Sequence, residues 1–112
     1  MKEEHVVASN VSVANSFFKR LKGLLGRKGL LLGEGMLLFP CKQVHTWFMK
    51  FTIDVIFIDK KGQIVELISC MQPGTISSYI KESYQVLELN SGDILKYKIS
   101  TKDELSILFI KN

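Results

Sequence analysis

Residues 35–59 read GMLLFPCKQVHTWFMKFTIDVIFID, with His45, Thr46 and Asp54 among the polar residues set into a largely apolar run. A polar group buried without a partner is expensive, so His45, Thr46 and Asp54 each need a physical reason to be there. From Val44 onward the pattern alternates. In an extended chain His45, Trp47, Met49, Phe51, Ile53, Val55 and Phe57 fall on one face, and Thr46, Phe48, Lys50, Thr52, Asp54 and Ile56 on the other. This spacing predicts strands over 44–49 and 53–58, with a polar stripe formed by Thr46, Lys50, Thr52 and Asp54. A bend near Phe51 and Thr52 breaks that register and moves Asp54 relative to His45.

Working outward, β-branched and aromatic residues fill further short runs at 5–8, 36–39, 64–70, 84–89 and 105–110, with Gly, Asn, Asp or Pro between them. The tetrapeptide Asp59-Lys60-Lys61-Gly62 joins two apolar runs and reads as a hairpin turn. Asn90-Ser91-Gly92-Asp93 reads as a second turn. At 16–25, Phe17, Leu21, Leu24 and Leu25 recur with the helical period, Asn15 or Ser16 supplies a cap, and Gly26 closes the end. A short helix is expected at 76–81, after Pro73 and Gly74. Strands this close in sequence favour antiparallel pairing, because parallel pairs need long crossovers. The fold class read from these elements is α+β: a mainly antiparallel, barrel-like β-sheet with one main amphipathic helix packed alongside. The alternative is a small open sheet covered on one face by the helix.

A length of 112 residues with 46% hydrophobic and 23% charged side chains fits one domain spanning 1–112, which buries roughly 65% of its unfolded surface. No apolar run reaches the ~20 residues of a membrane-spanning helix. The first residues carry Glu3 and Glu4 and do not read as a secretory leader. The expected compartment is therefore the cytoplasm, with Cys41 and Cys70 as reduced thiols. The net charge of +4 is concentrated in Lys19, Arg20, Lys22, Arg27 and Lys28, a stretch without acids. Such a run is usually a solvated face. Aromatic residues interleaved with exposed bases would argue for nucleic acid, but Phe17 and Phe18 fall on the apolar stripe, so nucleic acid ranks as a minor option.

Strong catalytic signatures are missing: there is no P-loop, no GxGxxG and no GxSxG, and no cofactor motif. Cys41 and His45 have a C-x3-H spacing, yet a metal site needs more ligands than the neighbourhood supplies. Cys41 reads better as a small buried hydrophobe than as a nucleophile paired with His45 and Asp54. Asp54 is the sharpest candidate, either as a site carboxylate or as an acceptor for backbone N–H groups at a strand end. Trp47, Phe48, Met49 and Phe51 suit a pocket floor or, more commonly, a core. Arg20 has a structural option, an ion pair with Glu88 or Asp54.

RLKGLLGRKGL at 20–30, GMLLFPC at 35–41, VHTWFMKFTIDVIFID at 44–59, Pro73 and VLELNSG at 86–92 together resemble the family known as domain of unknown function 192, small bacterial and archaeal proteins. The resemblance runs from about Val13 to Leu105. It implies a compact, mostly β domain with a helix, and no established activity, substrate or cofactor. By matching position it draws attention to Arg20, His45, Thr46, Met49, Asp54 and Glu88, and also to Gly23, Pro40, Asp59 and Pro73. Thr52 stands where relatives commonly have Pro, and Lys102 where they commonly have Gly.

Three functional readings follow. The favoured one is a non-catalytic module that binds a small molecule or a protein partner near His45, Thr46, Met49 and Asp54, with Arg20 and Glu88 in support. The others are a small hydrolase-like enzyme using His45 and Asp54 as acid–base groups, and an anion- or RNA-binding surface on the basic helix.

Overall fold

The computed structural model describes residues 6–14 and 29–106. Its centre is β3 (Ile53–Ile58), in which all six residues are buried. β3 pairs antiparallel with β4 (Ile64–Met71) on one side and with β5 (Gln85–Asn90) on the other. Beyond β5 lie β2 (Glu34–Leu38), antiparallel to it, and β1 (Asn10–Ala14), parallel to β2. The sheet order is β1-β2-β5-β3-β4. A strand buried on both faces needs apolar side chains at nearly every position, and IDVIFI supplies them.

Each face of the sheet carries its own core. On one face Met36, Leu38, Val55, Phe57 and Val86 pack with Val44, Met49 and Met71. On the other, Leu37, Ile56, Ile58, Leu87 and Leu89 pack with Ile64 and Ile94. Ile94 belongs to α1 (Asp93–Lys96), a single helical turn. The first face is closed by irregular chain at 41–49, the second by α1 and the turns that follow it.

These findings correct the expected fold class. The five strands form an open sheet, with β1 and β4 at its edges and no barrel closure, and the only helix among the described residues is α1. An α+β fold with a main amphipathic helix is therefore not what the described residues form. The helix expected at 16–25 lies outside them. β1 pairs parallel with β2, against the antiparallel expectation; residues 15–33, which separate the two strands, are long enough for the crossover that such a pair needs.

Several expected elements shift. Strands at 53–58, 64–70 and 84–89 lie within a residue of β3, β4 and β5. Asp59 to Gly62 makes the hairpin: Asp59 Oδ1 accepts the N–H groups of Lys61 and Gln63 at 2.9 Å each, and Gly62 takes φ +88°. Residues 6–8 are not a strand; the edge strand starts at Asn10. Residues 76–81 are not helical, and 44–49 contribute only a bridge between His45 and Ile76. The strand expected at 105–110 lies mostly outside the described residues.

Candidate functional site

The alternation at 44–49 does not make a strand because the chain turns there. Met49 N–H bonds back to the carbonyl of Thr46, and Phe48 takes φ +69°. That is the position where a turn with a left-handed third residue normally places Gly or Asn. The polar stripe is thereby lost. Lys50 is exposed, Thr52 half-buried, and Thr46 and Asp54 are fully buried in separate surroundings.

Thr46 joins the turn to the loop that follows β4. Its hydroxyl donates to the carbonyl of Gln72 at 2.6 Å and accepts the N–H of Thr75 at 3.0 Å. Its own N–H bonds to the carbonyl of Thr75, and its carbonyl also accepts Gly74 N–H. Pairing continues backward along the first segment and forward along the second: Ser77 N–H bonds to the carbonyl of Val44, and Ile80 N–H to that of Lys42. Lys42 Nζ then reaches the carbonyls of Lys81 and Ser83 at 2.7 Å each. Residues 42–49 and 72–83 thus form one continuous strip held by backbone and side-chain hydrogen bonds. Met49 anchors it in the first core.

The strip shows unusual apolar exposure. Trp47 is 47% exposed, Phe48 70%, Ile76 56% and Tyr79 63%. His45 stacks on Trp47 with ring centroids 4.4 Å apart and an interplanar angle of 26°, which fixes the orientation of the indole. The expectation that Trp47 and Phe48 are core is therefore corrected, while Met49 is buried. Ile76 and Tyr79 gave no sequence signal. Only the pairing of their segment with residues 42–46 brings them to this face.

Asp54 sits elsewhere, on the face that carries α1. Opposite it the β3–β4 register slips: Ile53 pairs with Met71 but Val55 with Ile68, and Cys70 takes φ +53°. Such a bulge leaves a backbone N–H outside the ladder. Asp54 Oδ1 accepts that N–H, from Cys70, at 2.8 Å. Its Oδ2 accepts the N–H of Ile94, also at 2.8 Å. The N-cap of α1 is Gly92, which has no side chain to offer, so Asp54 caps this helix from a neighbouring strand. Beside it, burial pushes the Asp93 carboxyl above its ordinary 3.8; Lys96 pulls it down, and the charge of Asp54 adds to the rise.

Glu88 is fully buried in β5, opposite Met36 and Val55 and so on the face away from Asp54. Arg20 lies outside the described residues. Thr46 and Met49 are brought together with His45, whereas Asp54 lies on the opposite face of the sheet. Cys41 is half-buried against the first core, and Cys70 is exposed with its sulfur accepting the Ser91 hydroxyl at 3.0 Å. Among the described residues no group of three or more His, Cys, Asp or Glu side chains is placed to hold a metal ion. No helix among them is long and apolar enough to cross a membrane.

Two solved structures share this fold. A protein of unknown function from Novosphingobium aromaticivorans DSM 12444 superposes with a TM-score of 0.74 at 22% identity, covering 84% of this chain and 71% of that one. A proposed transcription regulator from Sinorhizobium meliloti 1021 superposes with a TM-score of 0.73 at 25% identity, covering 84% and 78%. No curated protein gives a significant match. The profile of domain of unknown function 192, described as Uncharacterized ACR, matches residues 1–107. Strand framework and profile agree with the motifs at 35–59 and 86–92: this chain belongs to the family of domain of unknown function 192.

Proposed function

We propose that this protein is a binding module that works without turnover, and that its contact surface is the strip built from residues 42–49 and 72–83, with Lys50 beside it. The observation that carries the reading is Phe48. A bulky side chain in the left-handed region costs about 1–2 kcal/mol, and here the ring is also 70% exposed. Neither burial nor backbone preference accounts for a Phe at this position, and strain of this kind gathers at functional positions. The turn that displays it is rigid, because Thr46 ties it to the loop at 72–75 on both sides.

In this reading His45 orients Trp47, Thr46 and Met49 hold the turn, and Asp54 supports the fold rather than touching a ligand. An acid–base role for Asp54 finds less support. Both its oxygens already accept backbone N–H groups, and the side chain is fully buried. The basic stretch of Lys19 to Lys28 lies outside the described residues.

A thermal-shift screen of polar metabolites, nucleotides, short peptides and metal salts tests the proposal. A compound at a hundred times its dissociation constant stabilises the fold by about 2.7 kcal/mol. Stabilising compounds are expected to lose their effect on Phe48→Gly and His45→Ala and to be recovered unchanged. Conversion of a stabilising compound, or full retention of its effect in both variants, contradicts the reading.

A further inference from the structure

Resting on that reading, we propose that the occupant of the strip is single-stranded nucleic acid, with bases stacked on Trp47, Phe48 and Tyr79 and the phosphates followed by Lys50 and Lys81. In the basic segment Lys19 to Lys28 the neighbouring aromatics, Phe17 and Phe18, fall on the apolar stripe and do not interleave with the bases. The paired segments at 42–50 and 72–83 supply exposed aromatics and exposed bases together. Trp47, Phe48 and Tyr79 are exposed there, and so are Lys50 and Lys81.

The charge pattern selects the partner. No Asp or Glu occurs in residues 35–53 or 67–81, and Glu82 is the one acid within the paired segments. A second copy of the chain would bring the charges of Lys50 and Lys81 to the contact from both sides, which disfavours a symmetric pair. A neutral apolar peptide would leave Lys50 and Lys81 unused. A chain of phosphates bearing flat aromatic faces matches both features, since every base can stack and stacking tolerates sequence differences. The His45–Trp47 stack adds a reason: it holds the indole in one plane, so a base meets a preset surface.

Trp47 is the only Trp in the chain, so its emission reports on this face alone. Wild-type protein is titrated with short oligo-dT, following Trp47 emission and the anisotropy of fluorescein-labelled oligonucleotide. Saturable quenching is expected, with log affinity falling against log salt by about 0.7 for each phosphate contacted. Phe48→Gly and Tyr79→Ala, each checked for an unchanged circular dichroism spectrum, should weaken binding roughly five- to hundredfold. Lys50→Gln should reduce the salt slope by about 0.7.

Several results overturn the proposal. Poly-glutamate or inorganic polyphosphate binding as tightly as oligo-dT shows that charge alone is recognised. Oligo-dT binding untouched by Phe48→Gly and Tyr79→Ala places the nucleic acid elsewhere. Self-association that depends on Phe48 in the absence of nucleic acid makes this face an interface between copies. If oligo-dT does not bind while a metabolite or peptide acts through Phe48, the nucleic-acid proposal falls and the binding module stands. If no probe acts through this face, both fall.

Discussion

The carboxylate of Asp54 accepts the backbone N–H of Ile94 at 2.8 Å, forty residues further along the chain. With its other oxygen on Cys70 N–H, one buried side chain closes a β-bulge and caps a helical turn. A buried carboxylate that accepts two such bonds is an internal fastener. Removing it leaves two N–H groups unpaired, each at a cost of about 1–3 kcal/mol. Asp54→Ala should therefore lower the unfolding free energy by about 3 kcal/mol, measured by urea denaturation. Asp54→Asn, which can accept at only one of the two sites, should lose about 2 kcal/mol. A loss below about 1 kcal/mol in both variants contradicts the role assigned to this residue.

Phe48 is the opposite case, a residue the fold does without. Replacing it with Gly removes the left-handed strain and exposes no core. The opposing term is the added freedom of Gly in the unfolded chain. Phe48→Gly should leave stability unchanged or raise it by up to about 1 kcal/mol. A loss of more than about 1 kcal/mol means that the ring packs in solution.

Thr46→Val keeps the shape of the side chain and deletes its hydroxyl. The N–H of Thr75 then loses its acceptor, while the Gln72 carbonyl keeps the Thr75 hydroxyl at 2.7 Å. The expected cost is about 1–3 kcal/mol. It should appear locally as well, as faster amide exchange at Gly74 and Thr75 than in β3. Uniform acceleration across the sheet contradicts a clamp confined to the strip.

Asp93 gives the stability a pH dependence of known sign. Its folded pKa is raised above 3.8, chiefly by burial, so the folded state holds that proton more tightly than the unfolded state does. The contribution of this group is therefore favourable at pH values below 3.8 and is lost as pH rises through the raised folded value. Asp93→Asn should be more stable than wild type at pH 7, and the difference should shrink as pH falls toward 4. Denaturation curves at a series of pH values check this. A gain that grows on acidification contradicts it.

Legibility in the sequence followed the range of the interactions. The hairpin at 59–62 was readable because Asp and Gly sit where its own hydrogen bonds and φ +88° require them. β3 and β4 were readable as apolar, β-branched runs next to that turn. The stretch at 44–49 misled because its alternation is clean while Phe48, not a turn former, takes the left-handed position. Nothing at Cys70 announces a bulge either, since no Gly marks it. The need of Asp54 for a partner was legible from its apolar neighbours; the partners were not, because Cys70 and Ile94 reach it only through the tertiary fold. Ile76 and Tyr79 became part of the site for the same reason, through pairing with the segment at 42–46.

Whether the strip binds while Asp54 only supports the fold is decided by mapping amide chemical shifts in 15N-labelled protein while adding mononucleotides, short oligonucleotides, peptides and polar metabolites. The largest shifts are expected at residues 44–50 and 72–79, with every added compound recovered intact. Largest shifts at Asp54, Cys70 and Ile94, or conversion of an added compound, would contradict it.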